Sequence, residues 1–410
     1  MRALKIVILV FIVLEGLGCQ PTPEVFNYRM AEPSAGEDGT AFYSPSASDV
    51  TLVNPSDAKV RNIILCIGDG MGPNHVALAR HYGVGHDKKL YMELLPVRGE
   101  VMTHSANKKV TDSAAAATAM ACGVKTNNGM IGVTPDETPY SSILELLQRK
   151  GFRTGLVATS QISHATPAGF ASHVDSRNKQ KEIAVQLLAN RVDVLLGGGR
   201  KFWSDELLAQ AADAGYQVIE TRDEMAALRP GPVVGLFGDD GLTTFFPEPM
   251  LSEMSEIAIK LLNSPDKDWF SPKPKFFLMI EGSQIDWASH ANDTDRMIRQ
   301  ALLFDMAVRE AIEFAQMDKK TLVIVTADHE TGGLALEPNE ADENGIEARW
   351  TTGDHTASNV PIYAFGPGSE KFSGTLDNTD IPKRIAELTG IKEFPVLREQ
   401  TQATEEVSIK

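Results

Sequence analysis

Cysteine is scarce in this chain: three residues in 410, at positions 19, 66 and 122. Cys66 lies inside the apolar run of residues 63–67 and Cys122 inside an alanine-rich stretch, where each reads as a small buried hydrophobe, so no disulfide framework is expected. Positive charge is also in deficit, with 39 Lys and Arg against 55 Asp and Glu and a net charge of −16. That balance argues against nucleic acid or an anionic membrane surface as the main partner. It also means that an anionic ligand must be drawn in by local positive charge, from a metal ion or a placed arginine. There is no internal repeat, and the apolar run at residues 6–14 is too short to cross a membrane.

That run follows Arg2 and Lys5 and reads as an export signal over residues 1–18. Its end, Gly16-Leu17-Gly18-Cys19, resembles a bacterial lipoprotein signal with Cys19 as the lipidated residue; an ordinary cleaved signal is the alternative. Either reading places the protein outside the cytoplasm, in the periplasm or cell envelope, with membrane contact only through the anchor. Residues 19–60, rich in Pro, Ser, Gly and acidic side chains, read as a tether and N-terminal arm, and residues 393–410 as a polar tail. Residues 61–392 between them form one catalytic domain.

Within that domain short apolar runs alternate with helical patterns. Residues 62–67, 156–158, 192–196, 276–280, 321–325 and 360–365 are strand-like, and residues 73–79, 141–150, 251–262 and 295–316 are helix-like. Such alternation predicts an α/β fold with a mostly parallel sheet covered by helices on both faces, binding its ligand beyond the carboxyl ends of the strands.

Residues 111–126 are the densest signal. Ala114 to Ala117 and Ala119 are strong helix formers, Asp112 and Ser113 stand at the expected N-terminus, and Gly123 stands where the helix stops. Taken alone, Asp112-Ser113 is a helix cap. A serine hydroxyl there also faces free backbone N–H groups and the positive end of the helix dipole, where an anion is favoured.

The polar residues at the strand ends change the weighting. Asp69 follows the first strand, Glu281 closes another and is soon followed by Asp286 and His290, Asp328 and His329 follow a third, and His355 precedes the run at 360–365. An Asp before Gly is ordinarily a turn residue. Gathered on one sheet edge, however, these carboxylates would repel one another without cations, and several divalent ions explain them economically. Asp286 and His290, at i and i+4, point to one ion from one helical turn. Asp328 and His329 are adjacent and cannot face the same way in a regular element, which on spacing alone assigns them to two different sites.

The segments Gly68-Asp69-Gly70-Met71-Gly72, Thr111-Asp112-Ser113-Ala114-Ala115, His164-Ala165-Thr166-Pro167, residues 281–286, Thr326-Ala327-Asp328-His329-Glu330-Thr331 and His355-Thr356 resemble, in order, the motifs of the alkaline phosphatase family. The resemblance implies that Ser113 is the nucleophile of a phosphomonoesterase working through a phosphoserine. It implies one zinc on Asp286, His290 and His355, and a second on Asp69, Asp328 and His329 with the Ser113 oxygen. It further implies a magnesium ion at Asp69, Thr166 and Glu281, and Arg177 as the phosphate clamp, for which lysine is no geometric substitute. Two zinc ions about 4 Å apart can hold the attacking and leaving oxygens of an in-line displacement. Small phosphate monoesters are the implied substrates and a homodimer the implied assembly.

Two positions depart from the pattern: His164 stands where many bacterial members have aspartate, and Trp287 where they have lysine, beside the third metal and the phosphate. The short stretch between Leu336 and His355 implies a reduced crown. Phosphodiesterases share this fold, as do sulfatases, but the chain has no Cys-x-Pro-x-Arg segment and keeps Thr166 with Glu281, which favours monoesters. A non-catalytic surface lipoprotein that binds metal or phosphate would be the alternative were Ser113 or a ligand missing.

Overall fold

The computed structural model describes residues 43, 51–55, 58–85, 87–265, 273–338 and 345–398. The export signal, Cys19, most of the tether and the end of the polar tail lie outside these residues. Ten strands form one sheet, in the spatial order Gly374–Asp377, Val97–Met102, Val360–Phe365, Thr321–Thr326, Asn62–Gly68, Lys275–Gly282, Phe152–Gln161, Val194–Gly198, Val233–Leu236 and Gln217–Ile219. Only Val360–Phe365 runs against the others, antiparallel to both its neighbours. Every residue of Asn62–Gly68 and of Thr321–Thr326 is buried, as a central parallel strand with both faces covered requires.

The α/β expectation therefore holds, and the six expected strands are all present. Four more were not anticipated. Val97–Met102, Gln217–Ile219 and Gly374–Asp377 are edge or near-edge strands with polar residues facing out, and Val233–Leu236 is only four residues long. Helices Leu251–Asn263 and Thr294–Asp318 pack on each other and on the central strands, while Ser113–Cys122 packs against Ala165–Ala171. Ser113–Cys122 is buried along its whole length, which its alanines permit by letting neighbours approach closely. Tyr43, from the arm, is buried against Tyr91 and its hydroxyl donates to Asp305 on the Thr294–Asp318 helix. Between Leu336 and His355 the described chain is a two-stranded hairpin, Ala335–Pro338 with Ile346–Arg349. Among the described residues no helix is long and apolar enough to cross a membrane.

Candidate active site

The four adjacent strands at the centre of the sheet, Thr321–Thr326, Asn62–Gly68, Lys275–Gly282 and Phe152–Gln161, carry their polar residues at one edge. The in-register pairing of Ile67 with Glu281 and with Thr326 brings the ends of three of them level. Gly70, at φ +75, makes the turn after Asp69, and a Cβ there would lie 2.8 Å from both Asp286 Cα and Thr331 Oγ1. Only glycine lets this turn pass so close to the ligand-bearing helix.

One cluster joins Asp286, His290 and His355. Helix Gln284–His290 presents the first two from one turn, and His355 begins the short strand His355–Thr356. Asp286 Oδ1 lies 3.3 Å from His290 Nε2 and 3.5 Å from His355 Nε2, and the two imidazole nitrogens are 3.1 Å apart. Ligands about 2.0–2.1 Å from a tetrahedral centre stand about 3.3 Å from one another, so these spacings fit one zinc-sized ion.

A second cluster joins Asp69, Asp328 and His329, all fully buried. His329 Nε2 lies 3.2 Å from Asp328 Oδ2, 3.4 Å from Asp69 Oδ1 and 3.2 Å from Ser113 Oγ. Asp328 and His329 thus share one site, against the two-site expectation from their adjacency. The reason is local: the strand ends at Thr326, the chain bends at Asp328, and neither residue is bound by strand alternation.

The three histidines have their tautomers set by the same device. His290 Nδ1 donates to the Gly353 carbonyl at 2.6 Å, His355 Nδ1 to the Thr111 carbonyl at 2.8 Å, and His329 Nδ1 to Thr331 Oγ1 at 3.2 Å. Each Nε2 is left with a lone pair facing its cluster. The Thr331 hydroxyl in turn donates to Asp286 Oδ1, linking the two clusters.

A third cluster offers ligand atoms of Asp69, His164 and Glu281 within 4.8 Å of one another, so Asp69 belongs to two clusters. Thr166, buried on helix Ala165–Ala171, stands beside the Glu281 carboxyl. Ser160 Oγ donates to Glu281 Oε2 at 3.3 Å.

The electrostatics of this assembly call for cations. Burial, and then the charges of Asp328, Asp286 and Glu281, push the Asp69 carboxyl well above its ordinary range. Burial and Asp328 raise Glu281, and burial and Asp286 raise Asp328. Asp286 is the exception: burial works to raise it, but the surrounding imidazoles of His355, His329 and His290 hold it low. Both oxygens of Asp69, Oδ2 of Asp328 and Oε1 of Glu281 are buried with no hydrogen-bond partner among the described residues. Such groups are tolerated only when paired or when they coordinate metals.

Ser113 opens its helix and is 2 % exposed. Asp112 caps that helix, Oδ1 accepting from Ala115 N at 3.0 Å, and does a second thing that the sequence reading missed. Its Oδ2 accepts from Gly129 N at 3.0 Å and from Arg177 Nη1 at 3.1 Å. Arg177 Nη2 donates to His164 Nε2 at 3.1 Å. Trp287 meets His164 edge to face, with ring centroids 6.1 Å apart. Thr331 was likewise missed; it lies in a matched segment, but nothing in the sequence shows that its hydroxyl joins two clusters.

Buried His/carboxylate clusters around a serine at a helix N-terminus, at the carboxyl edge of a mostly parallel sheet, define a metal-dependent hydrolase of the α/β class. The alkaline phosphatase family profile matches residues 60–345 and 339–391. Alkaline phosphatase 3 of Bacillus subtilis is 34 % identical over 83 % of this chain and 91 % of its own length. Streptomycin-6-phosphate phosphatase of Streptomyces griseus is 32 % identical over 85 % of this chain and 94 % of its own. The solved alkaline phosphatase of the Antarctic bacterium TAB5 superposes with a TM-score of 0.75 at 35 % identity, covering 82 % of this chain and 99 % of that one. The chain belongs to the alkaline phosphatase family, the metal-dependent phosphomonoesterases.

Proposed function

We propose that the chain hydrolyses phosphate monoesters by transferring the phosphoryl group to Ser113. The observation that carries this reading is the position of Ser113 Oγ, 3.2 Å from His329 Nε2 at the rim of one ligand cluster and at the head of a helix. In the first half-reaction Ser113 Oγ forms a bond to phosphorus, the bond to the ester oxygen breaks, and the alcohol leaves. In the second, water releases inorganic phosphate and restores the serine. Arg177, held by Asp112 on one side, supplies paired N–H donors to the non-bridging oxygens. The helix N-terminus adds its free backbone N–H groups.

Asp286, His290 and His355 would hold one zinc, Asp69, Asp328 and His329 a second, and Asp69, Glu281 and Thr166 a magnesium with His164 alongside. The imidazole nitrogens and carboxylate oxygens suit zinc in the first two, and the oxygen-rich third suits a harder ion. Bound there, the ions would supply positive charge to the attacking and leaving oxygens and to the nucleophile. Two variants of the TAB5 enzyme, in which one histidine is replaced by Asp or Glu, are described with magnesium in their M3 site, which supports a magnesium-type third position here. Export, a lipid anchor on Cys19 and a homodimer complete the reading; a Cys19→Ser chain recovered entirely in the soluble fraction, against a membrane-bound wild type, is the outcome expected for the anchor.

Ser113→Ala should retain its metals by elemental analysis and lose most turnover of an aryl phosphate. Acid-quenched wild type should yield a phosphorylated Ser113 peptide by mass spectrometry, absent from the variant. Near-normal turnover in the alanine variant would end the covalent route.

A further inference from the structure

The four histidines of the site do not use their nitrogens alike. His290, His329 and His355 each give Nδ1–H to an oxygen and keep the Nε2 lone pair for their cluster. His164 has given its Nε2 lone pair away: that nitrogen accepts from Arg177 Nη2 at 3.1 Å, while Nδ1 is buried with no hydrogen-bond partner among the described residues. A guanidinium can only donate, so the His164 proton must sit on Nδ1. Yet His164 also stands within ligand distance of Asp69 and Glu281 in the third cluster.

A neutral imidazole has one lone-pair nitrogen, and two claimants are present. An ion taking Nε2 displaces the guanidinium directly. An ion taking Nδ1 sends the ring proton to Nε2, which then faces Arg177 donor against donor. We infer that His164 cannot serve Arg177 and a metal ion at once, so that an ion bound through His164 frees the phosphate-clamping arginine from one of its two anchors, leaving Asp112 alone. The inference rests on the reading of Arg177 and the third cluster given above.

Occupancy of the third site and the hold on Arg177 are then antagonistic, and by reciprocity Arg177 weakens that ion's binding as much as the ion loosens Arg177. An aspartate at this position would behave differently. Its two oxygens could accept from arginine and ligate at the same time. His164 is thus a positioning residue whose identity converts a shared ligand into an exclusive one.

The test is a double-mutant cycle on the full-length chain. Zn²⁺ is titrated against a competing chelator into metal-free wild type, Arg177→Ala, His164→Asp and the double variant, and the third equivalent is resolved. Arg177→Ala removes a cation in both backgrounds but frees a lone pair only in the His164 background. It should therefore tighten the third equivalent more with His164 than with Asp at position 164, by the worth of one hydrogen bond, about three- to tenfold. Imidazole nitrogen NMR of the two-zinc protein should place the His164 proton on Nδ1 in wild type. Equal tightening in the two backgrounds, no third equivalent in Arg177→Ala, or an Nε2–H tautomer in the two-zinc wild type would each overturn the inference. Failure of the underlying reading would look different: fewer than two tight equivalents in wild type, or undiminished phosphatase turnover in Ser113→Ala.

Discussion

The three clusters lie at one sheet edge, and the second and third share Asp69, but the first two and the third are built to different standards. In the first two, ligand atoms stand 3.1–3.5 Å apart, and every imidazole is oriented by a backbone carbonyl or by Thr331. The third has two buried carboxylates and a histidine whose lone pair is already engaged. Preorganised donors bind their ion without further ordering, whereas a contested donor must first be released. The comparison teaches that clusters drawn from the same residue types differ in preorganisation according to what holds their side chains from behind.

The largest break in that contrast should come from the residue common to both halves. Asp69→Asn leaves a neutral ligand where the second and third clusters each need a charge. Turnover should fall by more than about a thousandfold, since one bound ion contributes several kcal/mol of transition-state stabilisation. Elemental analysis should show at least one ion lost, and a variant with full metal content and normal turnover would refute the bridging role.

Thr331→Val comes next and separates orientation from ligation. The substitution keeps shape and removes only the hydroxyl that receives the His329 proton and donates to Asp286. Loss of such an outer partner costs about 10–100-fold in metal affinity. The loss should fall on the first two equivalents, by chelator competition, and spare the third.

Asp112 sharpens the comparison on the side of Ser113, since one carboxylate caps the helix that Ser113 opens and anchors Arg177. Asp112→Asn keeps a capping oxygen and removes the ion pair, so melting should change little while the inhibition constant for inorganic phosphate rises severalfold. Asp112→Ala should show the same rise and lose about 1 kcal/mol of stability besides, the ordinary value of a helix cap. Equal melting temperatures for the two variants would remove the capping role.

Much of this was legible in the chain itself, for physical reasons. Buried central strands need continuous apolar runs, and a polar residue directly after such a run must stand at the sheet's edge, which located Asp69, Glu281 and Asp328. Ser113 was legible because alanines, a cap and a glycine stop bracket one helix. Near-edge strands such as Val97–Met102 were not, because half their residues face solvent and their pattern resembles a loop. The antiparallel sense of Val360–Phe365 leaves no mark in a run of six residues. The shared site of Asp328 and His329 depended on a bend, and the Asp112–Arg177 pair spans 65 positions of sequence. Side-chain pairing across such distances follows from the fold and cannot be read from spacing.

The smallest effect concerns Trp287, on the ligand-bearing helix between Asp286 and His290. Its ring edge is pinned: a Cβ built on Gly241 would stand 2.4 Å from Trp287 Cη2, and His164 meets the ring edge to face. Tryptophan offers one N–H and no charge, whereas a lysine would place a cation beside His164 and the site of the phosphate. Trp287→Lys should hold the dianionic product more tightly, lowering the phosphate inhibition constant a fewfold, and should lower the maximal rate if product release limits turnover. The added charge also bears on the contrast between the clusters, because a cation next to His164 repels an ion in the third. The third equivalent should therefore weaken while the first two hold, and pairing the change with His164→Asp should restore it by supplying a compensating carboxylate. Unchanged phosphate inhibition in both the single and the double variant, with metals shown to be bound, would reduce Trp287 to packing against Gly241 and His164.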